Sequence, residues 1–293
     1  MKTSLRAFAA QSPIPLERQK AIELDILKAF DAFCRAHSLR YSLSDGTLLG
    51  AVRHRGFIPW DDDIDVYMLR PEYDRFVRLF SQSPTAPFAI VSGATEPAYP
   101  LNSVKIHDTR TVLFEGGKNY SFSGIYIDVF PLDAIPVDPR HRERLVRRLL
   151  LCRAMKGEKV GHRQSHPNPV KNAVIAIRYV LLKLVPMSVP RALHEWAVRR
   201  ASRHADGQRV GNMASPGNLR NHFFPRSWFE SSIQLSFEGC SFPATPHFDE
   251  YLTALYGDYM TPPPPEKRSF RHDSVCYFKQ APDRGASPPG PLP

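Results

Sequence analysis

Four aspartates fall within five residues, at Asp61, Asp62, Asp63 and Asp65, and the apolar residues Ile64, Val66 and Met68 run through and beyond them. Carboxylates this dense repel one another unless a cation neutralises them. On an extended strand Asp61, Asp63 and Asp65 project to one face while Asp62 and Ile64 project to the other. Asp63 and Asp65 then lie about 7 Å apart along the strand, a spacing that one or two hard divalent ions bridge. An acidic surface loop accounts for Asp61 and Asp62 but not for Asp63 and Asp65, which strand-forming residues flank. The segment therefore predicts a sheet carrying a metal-binding pair. Mg2+ (or Mn2+) suits it, because that ion commonly keeps waters and takes one or two protein carboxylates plus substrate phosphates.

Upstream, Gly46-Thr47 lies between a predicted strand, Tyr41–Ser44, and a short helix over Leu48–Arg53. A glycine there lets backbone amides approach a phosphate, and the hydroxyl and helix N-terminus add donors. Arg53 and Arg55 sit between the two motifs and can hold a diphosphate in bidentate fashion, or pair with Asp61 or Asp62. Asp128 is the expected third acid. It lies inside the apolar run Gly124–Phe130, where a charge is costly unless it is paired or bound to metal. It can complete the metal site or serve as a base, or be a core aspartate satisfied by backbone or by an arginine.

The pattern along the chain is a helix over Pro15–His37, then strands interleaved with short helices, then helices over 140–156, 174–185, 191–204 and 248–256. This predicts an α/β or α+β fold, a mixed sheet core flanked by helices, with a mainly helical C-terminal half. The expected division is a catalytic core at 15–138, a helical substrate-binding half at 139–280, and a disordered Pro/Gly/Ser-rich tail at 281–293. The apolar stretch Val174–Val185 carries Arg178 and Lys183 and is too short to span a bilayer. A buried core helix is the first expectation for it, and an interfacial helix the second.

The net charge of +10 is spread over Arg140–Arg226 and Lys267–Arg271. It comes without aromatic interleaving or a nucleic-acid motif, so no nucleic-acid partner is expected. It suits a polyphosphate substrate, peripheral contact with anionic membrane, or simply a solvated basic face kept for solubility. The four cysteines are far apart and form no C-x-x-C pair, which argues against structural zinc. With no signal-like N-terminus, the expected location is cytoplasmic, extending to the inner face of the membrane.

The run Gly46–Asp65 resembles the LicD family of phosphotransferases, which includes the fukutin-like proteins and belongs to the nucleotidyltransferase fold superfamily. Ile127–Asp133, Phe237-Glu238-Gly239 and Tyr256-Gly257-Asp258-Tyr259-Met260 follow in the family's order. The resemblance implies a nucleotidyltransferase-like core and transfer of a phosphorylated head group, phosphocholine first, from a CDP-linked donor. The implied acceptor is a hydroxyl of a cell-surface glycan or lipid-linked sugar. Carried over by position, Asp63, Asp65 and Asp128 bind the metal and Gly46-Thr47 faces the phosphates. The Tyr256–Met260 segment, with Asp258 and Tyr259, borders the substrate pocket. Three other functions remain compatible with the residues: transfer of a nucleoside monophosphate from an NTP, a non-catalytic basic membrane- or glycan-binding module, and a nucleic-acid polymerase of the same superfamily.

Overall fold

The computed structural model describes residues 3–8, 10–116, 120–121, 123–160, 169–214, 223–268 and 274–279. The expected tail at 281–293, the loop over 161–168, residues 269–271 and the Arg178 side chain lie outside the described residues. In chain order the elements are β1 (Thr3–Ser4), α1 (Leu16–Ala36), β2 (Ser42–Leu43), α2 (Asp45–His54), β3 (Asp65–Leu69), α3 (Arg70–Gln82) and β4 (Phe88–Val91). There follow β5 (Val104–Asp108), β6 (Thr111–Glu115), β7 (Tyr120–Ser121), β8 (Tyr126–Ala134), α4 (Pro139–Val160), α5 (Pro169–Leu184) and α6 (Ser188–Ser202). The last are β9 (Arg209–Asn212), β10 (Phe223–Pro225), β11 (Ile233–Phe237), β12 (Cys240–Ala244), α7 (Phe248–Tyr256) and β13 (Ser274–Phe278). They fall into two compact units, one of residues 1–91, 104–131 and 227–293, the other of 92–103 and 132–226.

The first unit is built on strands in the order β4-β5-β8-β3-β2-β12-β11. Strand β2 is antiparallel to β3, with Leu43 opposite Val66, and parallel to β12, with Leu43 opposite Ala244. The expected mixed sheet flanked by helices is thus present. Helix α1 forms where apolar residues recur every three or four positions, and Ile22, Ile26, Phe30 and Phe33 are all buried. Phe30 and Phe33 meet Phe76 edge-on, fixing α1 against α3. Pro71 stands in the first turn of α3, where its missing N–H costs nothing. A second, two-stranded sheet of β6 and β13 packs Phe114 and Tyr277 around Phe8.

In the second unit α4 and α6 enclose Ile135, Leu145, Val146, Leu149, Ala197, Val198 and Met213. Strand β9 pairs with residues 132–134 of β8 and with β10. The strand predicted to end at Phe130 therefore continues through Pro131. Strand β5 pairs with residues 126–129 and β9 with 132–134, so Pro131 falls between these two pairings.

Two expectations fail. The C-terminal half is not mainly helical, since β9 to β13 run through it. The cause of the miss is local: Glu238 and Gly239 both have positive φ (50° and 73°) and close a two-residue hairpin in which Phe237 faces Cys240. That is the turn geometry that joins tightly paired strands. The helix expected in the core is also not there. On α5 the side chains of Val174, Ile177, Val180, Leu181 and Leu184 are each more than half exposed.

Candidate active site

The acidic run does not lie along one strand. Strand β3 begins at Asp65, and residues 61–64 are irregular, with the Asp61 N–H turned back onto the Ile58 carbonyl. The alternation expected for Asp61, Asp63 and Asp65 is therefore lost. It is Asp61 and Asp62, expected on the surface, that are buried, while Asp63 and Asp65 are half-buried. The Asp62 carbonyl accepts a hydrogen bond from the Gln19 side chain of α1 (3.3 Å), which in turn donates to Glu23 (2.9 Å). Glu23 is itself buried, and desolvation, followed by the charges of Asp63 and Asp62, raises its pKa well above the usual range.

Asp63, Asp45, Asp128 and Asp61 all lie within electrostatic reach of Asp65. Desolvation raises the Asp65 pKa well above its ordinary value, and the charges of Asp63, Asp45, Asp128 and Asp61 raise it further, in that order. The Asp128 N–H donates to the Ile64 carbonyl (2.8 Å), which draws β8 alongside the acidic run. Among the described residues no set of three or more His, Cys, Asp or Glu is arranged to hold a metal ion unaided. Crowded carboxylate oxygens suit a hard cation that takes its remaining ligands from water and phosphate. One oxygen of Asp128, Oδ1, is buried without a hydrogen-bond partner and is a candidate for such a ligand position.

The other oxygen of Asp128 is held. Lys105, directly opposite on β5, is buried and places Nζ 3.2 Å from Asp128 Oδ2 and 3.1 Å above the Tyr126 ring. Nζ also lies 4.0 Å from Glu115 Oε1, which accepts from the Tyr126 hydroxyl. Burial raises the Asp128 pKa, and the charge and hydrogen bond of Lys105 oppose that rise. The satisfied core aspartate considered from sequence thus has a lysine as its partner, on only one of its two oxygens. A lone lysine in the strand Val104–Asp108 gave a signal that was readable: a cation among residues that otherwise pack a core.

Gly46 and Thr47 lie within the first turn of α2 rather than before it. A Cβ on residue 46 would collide with Asp61 Oδ2, so the close approach that the glycine permits here is that of a carboxylate. The Thr47 hydroxyl accepts the Asp65 N–H (2.8 Å) and so fixes the start of β3. Asp45, at a positive φ of 45°, accepts a hydrogen bond from the buried Tyr251 hydroxyl (3.1 Å).

In front of Gly46 and Asp61 opens a cleft of about 330 Å3. Arg53, Trp60, Tyr256, Asp258 and Tyr259 line it. Arg53 donates to the Tyr259 carbonyl (2.6 Å) and to His54 (2.9 Å), and makes no pair with Asp61 or Asp62. Burial and the neighbouring Arg268 lower its pKa. Asp258 accepts from the Thr261 hydroxyl (2.7 Å), and the Tyr259 hydroxyl donates to Asp249 (2.6 Å). Arg268 lies over the Trp60 ring at 5.0 Å.

Arg55 does not line this cleft. It caps α2 in the left-handed region (φ 58°), and its carbonyl accepts the Glu238 N–H (2.9 Å). The Glu238 side chain returns to accept the Phe57 N–H (3.0 Å), packing so close to Gly56 that a Cβ there would displace its carboxylate. Glu238 thus braces the 55–57 loop that leads into the acidic run, a role that Phe237-Glu238-Gly239 did not disclose as a bare motif.

Residues 38–135 match the family model described as the LicD/FKTN/FKRP nucleotidyltransferase domain. The chain is 32% identical over 276 residues to the lipopolysaccharide cholinephosphotransferase LicD of Haemophilus influenzae, covering 90% of this chain and 98% of that protein. The chain belongs to the LicD family. Shorter matches link this LicD-family chain to an uncharacterized protein of Rickettsia typhi (34% over 68 residues) and one of Rickettsia prowazekii (38% over 55 residues). These cover 23% and 18% of the chain, and 22% and 21% of those proteins.

Proposed function

We propose that this LicD-family chain transfers phosphocholine from a CDP-linked donor to a sugar hydroxyl of a lipopolysaccharide-type acceptor. The observation that carries the reading is the gathering of Asp45, Asp61, Asp63 and Asp128 around Asp65, where burial first and these like charges second raise the Asp65 pKa well above normal. Donor and acceptor class rest on the relative's printed activity and its coverage of nearly the whole chain.

Asp63 and Asp65, with Asp128 beside them, would hold Mg2+ or Mn2+, which supplies charge neutralisation to a diphosphate. Arg53, anchored at the Tyr259 carbonyl, directs the rest of its guanidinium to phosphoryl oxygens in the cleft. With Lys105 holding Oδ2, Asp128 Oδ1 has one of two roles: it completes the metal site, or it accepts the proton of the acceptor hydroxyl. The hydroxyl oxygen then bonds to the outer phosphorus and the bond to the CMP oxygen breaks. Of the aromatic residues suited to a quaternary ammonium, Tyr126 is capped by Lys105, whereas Trp60 and Tyr259 line the cleft, and a choline on the Trp60 face would take the place that Arg268 occupies.

Incubating the protein with CDP-choline, CDP-ribitol, CDP-glycerol or CTP, with Mg2+ and a lipopolysaccharide acceptor, tests this. CMP release with a phosphocholine diester product is expected from CDP-choline. Pyrophosphate release from CTP with a nucleotidylated product would replace this reading with nucleotidyl transfer. Turnover of none of the four would sink it.

A further inference from the structure

Within the second unit, α4 and α6 present a face that the catalytic chemistry does not use. His141, Arg144 and Arg148 on α4, with Arg200 and His204 at the end of α6, line a cleft of about 110 Å3. The two imidazoles stack at 4.7 Å, and His141 Nδ1 lies 2.6 Å from Asp138, at the start of α4. No carboxylate pairs with Arg144, Arg148 or Arg200 among the described residues, although other arginines on the same helices do have partners. Arg147 bonds Glu143 (3.0 Å), and Arg199 bonds Glu195 (2.7 Å). Three unpaired guanidiniums around one small cleft repel one another, and a bound anion removes that cost.

The cleft borders apolar surface rather than open polar surface. Arg148 and Arg200 both lie over the ring of Trp196, at 5.5 Å and 5.7 Å, and Trp196 is 52% exposed. Val189, Leu193, Trp196 and Arg200 recur at helical spacing along one face of α6, and the first three are exposed. Helix α5 adds a stripe of its own, Val174, Ile177, Leu181 and Leu184, the last 76% exposed. Among the described residues no single helix is long and apolar enough to cross a bilayer. Ala173–Leu184 and Ser188–Ser202 meet the length and composition test only as a pair, bent by 87°. Exposed aliphatic stripes, a tryptophan at the boundary and arginines beyond it are the pattern of a surface that lies in the lipid interface.

We propose that this face docks on an anionic bilayer, with the phosphate of a lipid headgroup seated among His141, Arg144, Arg148, Arg200 and His204. Charge complementarity chooses the occupant: a neutral apolar partner would leave the arginines unanswered, and a soluble polyanion would leave the aliphatic stripes in water. The proposal does not depend on the donor or reaction assigned above.

Flotation with vesicles of phosphatidylglycerol and phosphatidylcholine, against phosphatidylcholine alone, tests it with the full chain. Binding to the anionic vesicles is expected to exceed that to neutral ones at least tenfold at low salt. Arg144→Gln and Arg200→Gln are each expected to lower it about fivefold, since a basic residue at such a surface contributes about that factor. Arg147→Gln and Arg199→Gln, which remove the same charge outside the cleft, are expected to lower it far less. Leu181→Gln with Leu184→Gln is expected to weaken binding without altering the melting temperature. Inorganic phosphate, at ionic strength matched with chloride, is expected to compete. Equal loss from the cleft and control arginines, insensitivity to phosphate, or equal binding to both vesicles would each overturn the proposal. Phosphate binding to the cleft without vesicle binding would assign the site to a free phosphate and refute the lipid.

Discussion

Replacing Lys105 with methionine keeps the length of the side chain and removes the charge that answers Asp128. At 3.2 Å and an effective dielectric constant near 20, the attraction between the two is about 5 kcal/mol. Burial has already cost both partners their hydration. Removing one therefore leaves Asp128 buried and uncompensated, a net loss of about 3–5 kcal/mol. In a protein of this size that lowers the melting temperature on the order of 10 °C. The loss has a sign in pH. Lys105 opposes the upward shift of Asp128, so without it the carboxyl moves further above its unfolded value. An acid whose pKa is raised on folding favours the folded state only while protonated, and that stability is lost as pH rises through the folded value. The deficit of Lys105→Met relative to the parent should therefore be small at pH 5 and full at pH 8, in the absence of divalent ions. Lys105→Arg, which keeps the charge, should recover most of it. Thermal melts of the three proteins across this range suffice. A Lys105→Met protein that melts within 2 °C of the parent at pH 8, or whose deficit does not vary with pH, would show that the pair is not what holds Asp128 charged.

Three further outcomes follow from the same cluster and its brace. Asp63→Asn and Asp65→Asn should each abolish transfer while holding or raising the apo melting temperature, because each relieves like-charge repulsion; near-parental turnover at saturating Mg2+ would remove the residue from the metal site. In the parent the melting gain on adding Mg2+ should grow from pH 5 to pH 8, since Asp65 must shed its proton to bind, and Asp65→Asn should flatten that dependence. Glu238→Ala should cost about 0.5–1.5 kcal/mol by removing its hydrogen bond to the Phe57 N–H and should raise the donor KM more than it lowers kcat; unchanged stability and KM would show that the 55–57 loop holds itself.

The parts of the fold that could be read from sequence were those whose pattern is periodic. Helix α1 follows its Ile22–Phe33 stripe, and α7 falls where Phe248–Tyr256 predicts it. What could not be read arose from pairings far apart along the chain. Nothing near Thr47 says that its hydroxyl takes the Asp65 N–H, and nothing near Asp128 says that Lys105 stands opposite. Asp61 and Asp62 look like solvent-facing acids until α1 and Gly46 close over them. The Glu238-Gly239 hairpin was legible in principle, because Ile233–Phe237 alternates up to a turn pair. It went unread because positive φ at a glutamate is uncommon.

Strand β2 lies between a neighbour made early and one made late. Its antiparallel partner β3 follows within about two dozen residues, but the parallel partner β12 is 201 positions further on, at Leu43 and Ala244. At ribosomal speeds of about 5–20 residues per second, roughly 10–40 s separate the two during synthesis. Through that interval one edge of β2 has no strand beside it, Ser42 has no Thr245 amide to accept, and Phe57 has no Glu238. The growing chain thus carries its acidic run one strand in from an unsealed sheet edge, a surface that recruits stray strands. The matched segment 38–135 made alone would remain in that condition permanently. A fragment designed on those limits should aggregate, and extending it to residues 10–135, so that α1 covers Phe76, should restore solubility only when residues 227–279 are added as a separate chain.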